Sequence, residues 1–392
     1  MKIKSLRESQ NLYGKRIFLR ADLNVPLHKG RIVDDFKIVS SLPTLRFLLR
    51  YRAKVVIATH LGEPEGRDRN LSTEPLAREL EKKIGRPVGF SEDCVGGAAE
   101  EKVGKMKPGD ILMLENLRFH PEEKKNDPVF ARRLSKLADI YVNDAFAVSH
   151  RNHASVSAIK KDLPAWAGLL LEEEVSNLEK ILKPEKPMVA IMGGAKIVTK
   201  LPLIKNLARK TDAILVGGGL ANNFLAARGH EIGKSLADQE DIRIAAKLLR
   251  SGVGKKIILP VDVVVGRKKD GGGEAKVKNP GAVLKSDIIL DVGPETIRTY
   301  ARTIGGARTV IWNGPLGRFE AEHFRHGTLA IARLVAARSR GEAFGLVGGG
   351  ETIEALKLTG MMHDVDWVST AGGAMLAYLG GEKMPGLKKI VK

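Results

Sequence analysis

Glycine-rich stretches in the second half of the chain, GGAK at 193–196, GGG at 217–219, NGP at 313–315, GGGE at 348–351 and AGG at 371–373, each follow a short apolar run. A turn without Cβ atoms lets an anion approach unsatisfied backbone N–H groups, and a helix opening there adds its dipole, so these positions suit the phosphates of a nucleotide. The first half carries different chemistry after its apolar runs: Asp22-Leu23-Asn24, His60-Leu61-Gly62, the stretch 115–120 containing Arg118, and Asn143-Asp144 leading to Ser149-His150-Arg151. Guanidinium groups grip phosphate or carboxylate in bidentate fashion, so a cluster of Arg and His suits a small polyanion.

The elements that must position these residues follow from the apolar patterning. The runs KRIFLRA, AKVVIAT, DILMLE and DIYVND, then PMVAIMG, DAILVGG, KKIILPVDVVV, TVIWNG, AFGLVGG and VDWVST are short and β-branched, with amphipathic helical patterns between them. That alternation predicts an α/β protein with parallel sheets covered on both faces by helices, and ligands gathering beyond the carboxyl ends of the strands. Residues 169–187 interrupt the series with a helical pattern that ends at Pro184 and Pro187, and are read as an inter-domain helix. The expected division is 1–168, 169–187, 188–374, and a final segment 375–392.

Each singled-out residue also has a structural role open to it. Lys196 and Lys200, four apart, would share a helix face and could be solvated there. Asp22 and Asn24 would serve as turn residues after the first strand. Arg118 would make an ordinary salt bridge, and Gly348 to Gly350 a tight strand-to-helix turn. His150 and His153 read as charge donors or positioning groups. The stretch GHEIGKS at 229–235 resembles a phosphate-binding loop with one residue too few between its glycines, so Gly229 is read as a helix stop.

Bulk properties narrow the class. A chain of 392 residues, 43% hydrophobic and 28% charged, exceeds what one core usually supports. No segment approaches the roughly 18 apolar residues of a membrane span, and the N-terminus has no signal-like apolar stretch, so a cytoplasmic protein with no membrane association is expected. A single cysteine, Cys94, rules out intramolecular disulfides. The net charge of +19 attracts anions of any kind, nucleic acid included. Only 5% aromatic residues and dispersed basic positions argue against a nucleic-acid binder.

Over essentially its whole length the sequence resembles the phosphoglycerate kinases, through RADLNVPL, THLGEP, LENLRFHPEE, YVNDAFAVSHRNHAS, MGGAKIVTK, VGGGLANNFL, WNGPLGRFE and GGGETIEAL. The resemblance implies two Rossmann-like lobes facing across a cleft, a monomer, and hinge-bending. It also implies phosphoryl transfer between 1,3-bisphosphoglycerate and ADP, giving 3-phosphoglycerate and ATP, with Mg²⁺ accompanying the nucleotide. Asp22, Leu23, Asn24, Lys37, His60, Leu61, Gly62, Glu63, Arg118, His150 and Arg151 would line the phosphoglycerate site. Gly194, Ala195, Lys196, Lys200, Gly218, Asn313, Glu320, Gly349, Gly350, Glu351 and Thr352 would border the nucleotide. Lys200, Lys37 and Gly350 would act on the phosphoryl group in flight, and Glu351 would attend the metal.

Three positions depart from the family's pattern. Lys37 and Glu63 stand where the family has arginines, and Glu351 where it has an aspartate. Lysine keeps the charge of the first but loses the planar fork, Glu63 reverses the charge of the second, and Glu351 keeps a hard oxygen ligand. A kinase with weakened substrate affinity is expected, with Arg67 or Lys29 as compensating cations, or else a paralogue with reduced turnover or an altered acyl-phosphate substrate.

Overall fold

In a computed structural model describing residues 1–392, the chain separates into one unit made of 1–176 with 383–392 and a second made of 177–382. The first holds β1 (Arg16–Arg20), a hairpin of β2 (Leu27–His28) and β3 (Arg31–Ile32), then β4 (Lys54–Ala58), β5 (Val88–Ser91), β6 (Ile111–Leu114), β7 (Ile140–Asn143) and β8 (Ala165–Ala167). Its main sheet runs β5-β6-β4-β1-β7-β8, with all neighbours parallel. The central strands are buried on both faces because helices cover both, which is why they read as continuous apolar runs. Ile17, Leu19, Val55, Ile57 and Met113 join Leu42, Leu45 and Leu48 of the helix Phe36–Arg50 in one core, each such side chain contributing about 1.5–3 kcal/mol of transfer free energy.

The second unit repeats this plan with β9 (Met188–Met192), β10 (Ala213–Val216), β11 (Ile257–Ile258), β12 (Val263–Gly266), β13 (Lys276–Lys278), β14 (Ile288–Val292), β15 (Thr309–Asn313), β16 (Phe344–Gly348) and β17 (Trp367–Ser369). A parallel sheet runs β11-β10-β9-β15-β16-β17, and β13-β12-β14 form a separate small sheet, antiparallel throughout. In each main sheet the first strand of the unit is flanked on both sides by later strands, so the connections diverge at β1 and at β9. Crevices open at the carboxyl ends of strands at such points.

The run KKIILPVDVVV does not form one strand. Pro260 lacks the N–H that a ladder needs, and the chain leaves the parallel sheet after Ile258 to enter the antiparallel one at Val263. β5 and β8 lie at the two edges of their sheet and were not expected; each is short, and β5 contains Gly89.

The inter-domain helix spans Leu169–Leu182 and stops short of residue 187, as a proline at 184 disfavours helical geometry in the residue before it. Asp144 Oδ1 accepts from the N–H of Leu170 at 3.0 Å and of Leu171 at 3.3 Å and so caps this helix. The return to the first unit starts at Lys383 rather than after Ala374. Residues Gly373–Leu379 form a helix packed on the helix Leu201–Leu207 of the second unit, tied there by Asn206 Nδ2 donating to the Leu379 carbonyl at 2.5 Å.

Candidate active site

In the first unit, the ends of β1, β4, β6 and β7 bring Asp22, His60, Arg118 and Arg151 into one electrostatic cluster. Arg118 sits in a 3-10 turn, Leu117–Phe119, capped by the Asn116 side chain, whose amide also donates to the Leu61 carbonyl at 2.8 Å and receives from the Leu61 N–H at 3.2 Å. The guanidinium is thereby held beside the 60–63 loop, with Nη1 donating to the Gly62 carbonyl at 2.6 Å. Its Nε and Nη2 are buried with no hydrogen-bond partner, a costly arrangement for a cation unless an anion is to be bound there.

His60 lies 3.2 Å through Nδ1 from Arg20 Nη2. A guanidinium can only donate, so Nδ1 accepts and Nε2 carries the ring proton. Burial first, then the charges of Arg20, Arg118, Lys37 and Arg151, hold the imidazole well below its ordinary pKa, and it is neutral at physiological pH. His153 is pushed down to about 4 by burial and by Arg118, Arg20 and Arg151. It therefore contributes no charge, which leaves the positioning role of the two that were open to it. Below them Arg20 and Glu123 are both buried and joined through Ser155, whose Oγ receives from Arg20 Nε at 2.9 Å and donates to Glu123 Oε1 at 2.6 Å.

Lys37 Nζ meets Asp22 Oδ2 at 2.7 Å, and Asn24 Oδ1 receives the Gly62 N–H at 2.9 Å. Asp22 and Asn24 thus build the turn as well as facing the cluster. Glu63 is bound by Arg118, Lys124 and Arg151. Arg67 instead donates to the Glu92 carbonyl, and Lys29 lies exposed in the β2–β3 turn, so neither is the cation paired with Glu63. Lys124 was missed, and no spacing rule links it to residue 63.

In the second unit a cavity of about 230 Å³ is lined by the glycine loops 194–195, 218–219 and 315–317 together with Leu236, Pro260, Leu290, Asp291, Glu320 and Glu351. At Gly193, Gly217 and Gly317 the packing leaves no room for a side chain. A Cβ on Gly193 would come within 2.0 Å of the Pro315 carbonyl oxygen. Gly349 has φ +103 and a Cβ there would lie 2.7 Å from Asn313 Nδ2, while that amide donates to the Gly348 carbonyl at 2.6 Å. Gly350 opens the helix Gly350–Leu358 and Glu351 follows in its first turn. Thr352 Oγ1 is buried and receives the Gly314 N–H at 2.7 Å, so its hydroxyl braces the neighbouring loop.

Lys200 Nζ is buried and donates to the Asn313 carbonyl at 3.3 Å. Burial lowers its pKa to about 8, with the Glu351 carboxylate pulling the other way. Lys196 is exposed, and the two lysines do not share a helix face, because the helix begins only at Leu201. Gly229 follows the end of the helix Gly218–Ala227 with φ +86, a helix stop as read. Asp291 was not singled out from the sequence; it lies buried on β14, pushed up to about 8 by burial, and accepts from the Gly327 N–H at 2.7 Å. No helix of the chain is long and apolar enough to cross a membrane.

A family model described as phosphoglycerate kinase matches residues 7–382. The phosphoglycerate kinase of Moorella thermoacetica is 46% identical over 380 residues, 96% of each chain, and that of Methylorubrum extorquens 43% identical over 392 residues, 99% of this chain and 98% of the other. The solved phosphoglycerate kinase of Coxiella burnetii superposes with a TM-score of 0.87 at 40% identity over 100% of both chains. That of Pyrococcus horikoshii does so with a TM-score of 0.88 at 34% identity over 98% of both. With two parallel-sheet units that carry an arginine cluster on one and a glycine-walled cavity on the other, and with relatives aligned nearly end to end, the chain belongs to the phosphoglycerate kinase family.

Proposed function

We propose that this protein catalyses reversible phosphoryl transfer between 1,3-bisphosphoglycerate and ADP, giving 3-phosphoglycerate and ATP. The observation that carries the reading is the buried Arg118 guanidinium with two unpartnered nitrogens in the same chain as a cavity walled by glycine loops. One is suited to a small phosphorylated acid, the other to a nucleotide. The first-unit cluster of Asp22, Asn24, Lys37, His60, Arg118, His150 and Arg151 is the proposed phosphoglycerate site. The loops at 194–196, 218–219, 313–315 and 349–352, with Glu320, are the proposed nucleotide site.

In this reaction the attacking oxygen is already an anion, so no general base is needed. The demand is for alignment and for neutralisation of the charge on the transferring group. Lys200 supplies a cation near the glycine loops, and the Gly350 amide, at a helix N-terminus, supplies an oriented dipole. His60, neutral with its proton on Nε2, donates a hydrogen bond to substrate and takes up no proton.

Glu351 fits a magnesium ion as an exposed carboxylate in the cavity wall, because Mg²⁺ is commonly held by one or two carboxylates plus substrate phosphates. When bound with the nucleotide, the ion would neutralise phosphate charge. Transfer also requires that water be kept away, and the helix Leu169–Leu182, which carries the chain from one unit to the other, is the proposed hinge. A monomeric cytoplasmic enzyme completes the reading.

The test is turnover of 3-phosphoglycerate with MgATP, coupled to glyceraldehyde-3-phosphate dehydrogenase and followed as NADH loss. Activity that needs both substrates and is lost in Lys200→Ala is the expected outcome. Nucleotide binding without turnover at saturating substrate would instead favour the paralogue reading, in which Lys37, Glu63 and Glu351 have disabled or redirected the site.

A further inference from the structure

Glu63 stands at the rim of the first unit's arginine cluster and touches three cations. Its Oε1 lies 2.5 Å from Arg118 Nη1 and 3.5 Å from Arg151 Nη1, while Oε2 lies 2.6 Å from Lys124 Nζ. The cations are held differently. The Arg118 side chain is 1% exposed and fixed by the Gly62 carbonyl, whereas Lys124 is 43% exposed and Glu63 itself 59%. One anion is therefore bonded to a buried guanidinium on one side and to an exposed ammonium on the other, at the place where Arg118 keeps two further donors unpartnered.

We propose that the Glu63 carboxylate is a resident stand-in for the phosphate monoester of the acidic substrate, that this phosphate binds by displacing it from Arg118 and Arg151, and that Lys124 then becomes a direct ligand of the phosphate. The inference rests on the reading of the first-unit cluster as the phosphoglycerate site.

Charge and solvation favour the exchange. Three cations and one carboxylate leave the cluster positive, and a phosphate dianion offers more charge and one more oxygen than the carboxylate it replaces. Because Glu63 is more than half exposed, its release returns a carboxylate to water and strands no buried charge. Lys124 also answers the reversed charge at 63. It stands within bonding distance of the carboxylate that itself contacts Arg118, so the space vacated by the carboxylate is within its reach.

The experiment is calorimetric titration of 3-phosphoglycerate into the wild-type protein, Glu63→Gln, Glu63→Ala, and Glu63→Gln combined with Lys124→Met, with wild-type turnover in MgATP measured alongside. Removing the resident anion is expected to lower Kd roughly 2- to 5-fold in both single variants, the range of one exposed charge interaction. Adding Lys124→Met is expected to raise it again by a similar factor. An unchanged or higher Kd in both Glu63 variants overturns the displacement. A combined variant that binds as tightly as Glu63→Gln overturns the role of Lys124 as a ligand. A wild-type protein that neither binds nor turns over 3-phosphoglycerate overturns the reading of the site, and the inference with it; turnover with no effect at Glu63 overturns the inference alone.

Discussion

Lys200 shows how burial sets the working state of a single side chain. Desolvation lowers its pKa to about 8 against an ordinary 10.5, with Glu351 opposing. Between those values the unfolded chain holds the proton that the folded one has released, so this group adds stability as pH rises through the window and opposes folding below it. Nucleotide phosphates placed beside Lys200 reverse that shift. MgADP binding at about pH 8 to 9 is therefore expected to take up protons, read from calorimetric heats in buffers of differing ionisation enthalpy. Lys200→Met should remove most of that uptake and lower turnover by about 10²–10³-fold. The sequence presented Lys200 through its place after a strand and Gly-Gly, but not its burial, which depends on the 313–315 loop.

Two elements carry strain or charge that their sequence does not reveal. Gly349 holds φ +103 while its position faces Asn313 Nδ2, so Gly349→Ala is expected to cost about 1–3 kcal/mol, seen as a lower urea midpoint together with weakened nucleotide binding. Asp144, the cap of the helix Leu169–Leu182, is raised by burial to about 7 from 3.8. The folded state keeps a proton there that the unfolded state loses, so stability falls as pH rises between these values. Asp144→Asn retains an acceptor without the charge. Its melting temperature relative to wild type is expected to climb between about pH 4 and 8, and a flat difference would exclude the carboxyl as the cause.

Most strands were legible because a parallel strand buried on both faces must be apolar throughout. The edge strands β5 and β8 and the division at Pro260 were not, since edges need little apolar patterning and an apolar run carries no mark of which sheet it joins.

At the scale of the molecule, residues 383–392 complete the first unit. Lys160 Nζ donates to the carbonyls of Pro385, Gly386 and Lys388 at 2.7, 2.9 and 2.8 Å, and Leu387 and Ile390 are buried. Deleting this segment is expected to destabilise the first unit by about 3–6 kcal/mol, the scale of two buried aliphatic side chains, and to lower its unfolding midpoint in urea.

By itself the sequence determined the fold class and the family, because strand burial, glycine turns and clustered guanidinium groups are written in residue type and local order. Only the tertiary structure decided that Lys124 meets Glu63, that Arg20 orients His60, that Lys200 is buried and Lys196 exposed, and that the chain's end returns at Lys383. Those pairings join residues remote in the chain, and their charge states follow from the solvent that the fold excludes.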